Sequence, residues 1–77
     1  MDLKQILTNI ARAIVDTPDA VHVEENVDGD DVELVLTVAE DDTGMVIGRH
    51  GKIAKAIRQV MKVAGIRSGK RVTVEIK

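Results

Sequence analysis

Residues 46–58 read Val-Ile-Gly-Arg-His-Gly-Lys-Ile-Ala-Lys-Ala-Ile-Arg: an apolar pair, two glycines three positions apart, then a basic amphipathic run. Without a Cβ, Gly48 and Gly51 let the chain bend tightly and let the peptide N–H groups between them approach an anion closely. A helix that starts just after Gly51 also offers first-turn amides with no intrahelical partner, at the positive end of its dipole. Arg49 and His50 project from the bend, Arg49 with a planar fork suited to phosphate oxygens. Lys52, Lys55 and Arg58 follow at intervals of three and are expected along one helical side. The stretch therefore predicts a phosphate-gripping loop at a helix start.

Downstream, Ile53, Ala56, Ile57, Val60, Met61 and Ala64 extend the helical stripe, and Gly65 is the expected stop. Residues 66–70 then link to a strand at 71–77, whose Val72, Val74 and Ile76 face one way. Upstream, Glu40-Asp41-Asp42-Thr43 supplies acids and capping side chains for a short helix at Thr43–Ile47. Val32, Leu34, Leu36 and Val38 alternate with Glu33, Val35 and Thr37, leaving Val35 as an isolated apolar residue on the outer face. Val21 and Val23 alternate with His22 and Glu24, and residues 26–30 read as the hairpin turn between the two strands. Leu3, Ile6, Leu7, Ile10 and Ile14 mark a helix from about residue 2 to 15, closed by Pro18. The predicted fold class is α+β in the order α-β-β-α-α-β, a three-stranded mixed sheet with three helices packed on one face.

Seventy-seven residues make a single domain near the lower size limit, since so short a chain hides only about 60 % of its unfolded surface. The net charge of −2 conceals two opposite halves. Residues 1–48 carry two cations against twelve acids, whereas residues 49–77 carry nine cations against Glu75 alone. The boundary falls inside the glycine loop and sets a positive field beside it. With no cysteine and two isolated histidines, neither a disulfide nor a thiolate metal site is available, and no cofactor is expected. No apolar run approaches the roughly 20 residues that span a bilayer. Met1-Asp2-Leu3-Lys4 lacks a signal-peptide layout, so a cytoplasmic, membrane-free setting is the expectation.

A Walker A loop is excluded, because its first glycine would fall on Val46 or Ala64 and its Ser/Thr on Ile53 or Arg71. A dinucleotide fingerprint lacks its third glycine. An enzyme is disfavoured, as no nucleophile stands beside a base at motif spacing and Asp41-Asp42 read as helix-capping acids. RRM and OB modules stack bases on aromatic rings, and this chain has no Phe, Tyr or Trp.

The segment Val46–Ile53 resembles the signature of KH domains, the fold with a GXXG loop between two helices, and the element order matches the bacterial type II arrangement. Residues 1–77 as a whole resemble the small stand-alone KH proteins of bacteria. One departure is Ala54, which stands where the general KH pattern has Ile three residues after the second glycine. The resemblance implies a reader of single-stranded RNA in which the loop clamps about four nucleotides and an adjacent apolar groove holds the bases. Contact then falls to Ile47, Gly48, Arg49, His50, Gly51, Lys52, Lys55 and Arg58. Ile47, Ile53 and Ile57 weigh toward the core, with the groove as their alternative. The resemblance further implies an RNA chaperone or post-transcriptional regulator that acts with a second KH protein of the KhpB type, with association of two like copies as another option, and with a role in cell shape and wall growth. The competing reading is a protein-interaction module with little RNA affinity of its own.

Overall fold

Burial of Leu3, Leu7 and Ala11, at helical spacing, draws residues Leu3–Ile14 into helix α1 in the computed structural model, which describes residues 1–77. Asp2 caps it, its carboxylate accepting from the Gln5 N–H at 3.0 Å. The helix closes at Val15, and Pro18 opens a 3₁₀ turn at Pro18–Ala20. Strands β1 (His22–Asp28) and β2 (Asp31–Thr37) pair antiparallel in a register that sets Asp28 opposite Asp31. The turn is therefore Gly29-Asp30 alone, shorter than the expected 26–30. Gly29, at φ 60°, makes the reversal in two residues, which leaves Asn26 and Val27 free to pair with Glu33 and Val32.

A 3₁₀ turn at Glu40–Asp42 leads into the short helix α2 (Thr43–Ile47), as its acids and Thr43 suggested. Asp42, however, does not cap α2. It is buried, and its Oδ2 accepts from the Thr17 N–H at 2.9 Å, tying the start of α2 to the segment after α1. Helix α3 (Lys52–Arg67) runs two residues beyond Gly65, correcting the expected stop. A Cβ at Gly65 would lie 2.6 Å from Val72 Cγ2 and 3.0 Å from the Lys70 carbonyl, so this glycine serves close helix-to-strand packing. The helix ends at Ser68, whose Oγ donates to the Ala64 carbonyl at 3.0 Å, and Gly69 takes the positive φ that turns the chain.

Strand β3 (Arg71–Ile76) runs parallel to β2, completing a mixed sheet in the order β1-β2-β3. Val23, Val32, Leu34 and Leu36 point inward against Leu3, Leu7, Ala11, Val46, Ile57 and Met61, and all three helices cover this face. Val35 is buried rather than exposed. It occupies the outer face of the central strand, flanked by Glu24 on β1 and Glu75 on β3, positions whose side chains stand beside it on that face. The α-β-β-α-α-β order and the one-sided helix layer match the sequence reading. No helix is long and apolar enough to cross a membrane.

Candidate nucleic-acid interface

The loop is a tight 3₁₀ turn at Arg49–Gly51 wedged between α2 and α3. Its backbone is left-handed at three of four positions: Gly48 has φ 76°, His50 φ 57° and Gly51 φ 72°. His50 is the only non-glycine residue in the chain with positive φ. Histidine is among the side chains enriched in that region, the one faint cue to this conformation. The Gly51 N–H donates to the Gly48 carbonyl at 3.1 Å, and the Lys52 N–H donates to that of Arg49. The turn thus consumes part of the first-turn donor set expected after Gly51. The N–H groups of Arg49 and His50 make no hydrogen bond within the protein, and both side chains are exposed. Two free amides and two exposed cationic or polar side chains form the tip of the bend.

The two glycines differ in their surroundings. A Cβ on Gly48 would lie 2.6 Å from Ile53 Cγ1, whereas one on Gly51 would meet nothing within 4 Å. Backbone conformation requires both, and close packing requires the first as well.

No acid occurs between Asp42 and Glu75. Lys70 pairs with Asp30 at 3.5 Å, and Arg71 grips Asp31 through two hydrogen bonds of 2.7 and 3.2 Å. Arg49, Lys52, Lys55, Arg58, Lys62 and Arg67 pair with no carboxylate. Their charge is therefore available to an outside anion. Of these, Lys62 and Arg67 were not singled out by sequence, because their part in the field depends on which acids fold nearby.

Lys52, Lys55 and Arg58 do not share one side of α3. At about 100° per residue, Lys52 and Arg58 lie roughly 120° apart around the axis. Lys52 borders the side facing α1, while the Arg58 Nε donates to the Val74 carbonyl at 3.3 Å on the open edge of β3. Arg58, Lys62, Val72 and Val74 line a shallow hollow of about 350 Å³ there.

Ile57 is core, as expected, but Ile47 and Ile53 are 39 % and 37 % exposed. Ala54, the departure from the general KH pattern, takes a buried place on the inward face of α3 with Ile57 and Met61. The apolar stripe read from sequence is consequently split. Ile53, Ala56 and Val60 line an open, almost wholly apolar hollow of about 450 Å³ with Ile10 and Ile14. Val63 and Ile66 prolong the exposed strip.

A helix–GXXG–helix unit packed on one face of a mixed three-stranded sheet defines a KH domain in the α-β-β-α-α-β arrangement. The family model described as "KhpA/KhpB, KH domain" matches residues 4–76. The chain is 50 % identical over 74 residues to the RNA-binding protein KhpA of Clostridium acetobutylicum, covering 96 % of this chain and 99 % of that one. It is 39 % identical to the Bacillus subtilis protein of the same name, covering 96 % and 91 %. Among solved structures, Aquifex aeolicus Era bound to GDP and AlF₄⁻ superimposes with a TM-score of 0.69 at 20 % identity. That match covers 96 % of this chain and 29 % of Era, and it speaks to the fold alone. The chain belongs to the KhpA/KhpB family of KH domains, which is not a family of enzymes.

Proposed function

We propose that this KH domain binds single-stranded RNA through the 48–51 loop, with the phosphate backbone as the principal contact. The reading is carried by the two unpartnered amides of Arg49 and His50 beside a surface of cations that no carboxylate neutralises. Relatives named RNA-binding protein KhpA support it. Lys52 and Lys55 extend the grip along the first turn of α3, Gly48 and Gly51 shape it, and Ile47 adds aliphatic surface beside it. Arg58 serves from the β3 edge. Without aromatic stacking, a single copy binds weakly, with Kd on the order of micromolar, or about 8 kcal/mol.

Within this reading the protein is a cytoplasmic RNA chaperone or post-transcriptional regulator that acts with a second KH protein of the KhpB type, with consequences for cell shape and wall growth. The family's joint name supports the pairing. Replacing Arg49 and His50 together by Asp tests the core of the proposal. The variant is expected to keep its circular dichroism spectrum and lose at least tenfold in affinity for a labelled single-stranded RNA. Unchanged affinity in the folded variant rejects the loop.

A second reading, a module for association with another KH chain, is favoured by the exposed strip of Ile53, Val60, Val63 and Ile66. Sedimentation equilibrium, alone and with the second KH protein, decides it: a mass independent of concentration and of partner removes this reading.

A further inference from the structure

Ile53 follows the loop by two positions, is neither buried nor cationic, and is given no part in holding phosphate by the proposed RNA reading. Its side chain nonetheless occupies the space beneath Gly48. The positions a Gly48 Cβ would need lie 2.6 Å from Ile53 Cγ1, 2.9 Å from Ile53 Cβ and 2.9 Å from Ile53 Cδ1. Three carbons of one side chain thus bear on the α-carbon at which the loop departs from α2. Gly48 is also where the loop backbone is least restrained by its own residue type, at φ 76° and ψ 175°, in a region that only glycine enters readily. Its carbonyl accepts the Gly51 N–H, the bond that closes the turn around Arg49 and His50.

From this we infer that Ile53 is a positioning residue for the loop: packed under Gly48, it holds the free amides of Arg49 and His50 in the arrangement that receives phosphate. The inference rests on the RNA reading of the loop for its functional consequence. The physical need is plain. A glycine-flanked turn with three left-handed residues has many alternatives, and affinity falls in proportion to the fraction of molecules holding the competent one. Ile53 is supplied by the first turn of α3, which at 16 residues is the longer of the two helices flanking the loop, and the bond across the turn is too local to fix the departure from α2 by itself. The same residue is 37 % exposed and stands outside the main core cluster, so its truncation does not empty the core.

Ile53→Ala and Ile53→Val test the idea in the full chain. The probe is a labelled single-stranded RNA dodecamer of mixed sequence, titrated at several salt concentrations, together with hydrogen exchange of the Gly51 amide in the free protein. For Ile53→Ala, Gly51 exchange should speed up and affinity fall roughly fivefold, as when the competent loop drops to about a fifth of its former population. The dependence of log K on log salt should keep its slope, because no phosphate contact is removed. Ile53→Val retains Cβ and Cγ1 and should restore most of both effects. Affinity lost with Gly51 exchange unchanged would overturn the inference and make Ile53 a direct RNA contact. Unchanged exchange with unchanged affinity would also overturn it. Should the wild type fail to bind the dodecamer, the RNA reading fails by itself, while faster exchange in Ile53→Ala would still establish the support beneath Gly48.

Discussion

Gly48 and Gly51 share a residue type and a positive φ but not a reason. Gly51, at φ 72° and ψ 15°, lies in the left-handed helical region with open space where a Cβ would go. Gly51→Ala therefore meets only backbone strain of about 1–2 kcal/mol, which for a domain of this size lowers Tm by roughly 5–12 °C. Gly48, at ψ 175°, sits where side chains are barely tolerated, and its new Cβ would collide with Ile53. Gly48→Ala is expected to cost more, about 3 kcal/mol or above, with a Tm drop of roughly 18 °C or more. Parallel thermal melts check the ranking, and equal melting temperatures would show that Ile53 yields freely. His50 completes the picture, because a histidine takes the left-handed conformation between the two glycines and leaves its amide unbonded without a third glycine.

At the level of elements, α2 is a single turn and a half that could not hold the loop by itself, and the structure secures it from both ends. Val46 anchors it in the core, and the buried Asp42 just before it bonds the Thr17 N–H beyond α1. Asp42→Ala leaves that amide without its partner and removes a hydrogen bond to a charged acceptor, a loss of about 1.5–3 kcal/mol. Asp42→Asn retains an acceptor oxygen and should lose distinctly less, so urea titrations of the two variants separate the hydrogen bond from the burial of the side chain. This contact explains a limit of the sequence reading. Asp42 sits in a run of acids before a helix, where local capping is the economical expectation, and only the tertiary fold brings Thr17, 25 positions away, within reach. Gly65 escaped for a like reason: glycine late in a helix reads as a stop until the proximity of Val72 is known. Periodicities needed no such knowledge. The alternation in β2, the spacing in α1 and the glycine pair followed by a basic helix each depend on neighbours in the chain, and all three elements stand where they were expected. The stripe of α3 was legible as a stripe, but which of its sides faces the core was not, because that follows from where α1 and the sheet meet it.

Across the whole molecule, charge is layered as well as split along the chain. The exposed outer face of the sheet presents Glu24, Glu33 and Glu75, on the side away from the helices, whereas the loop and α3 carry six cations without carboxylate partners. In a body only 17 Å across its shortest dimension, such an arrangement orients a polyanion toward one side and repels it from the other. The same geometry limits how many phosphates a single strand can engage. Arg58 leans over the β3 edge and Lys52 toward α1, so one strand passing the loop cannot meet every cation of α3 together. Contacts by Arg49, Lys52 and Lys55 make about three neutralised phosphates. At roughly −0.7 per contact on a single strand, log K should fall with log salt at a slope near −2. A slope near −4 would mean that all six free cations are engaged and that the strand wraps α3, while a flat response would reject electrostatic gripping of RNA altogether. In the Arg49→Asp, His50→Asp variant the slope should shrink along with the affinity, which separates loss of phosphate contacts from a general loosening of the fold.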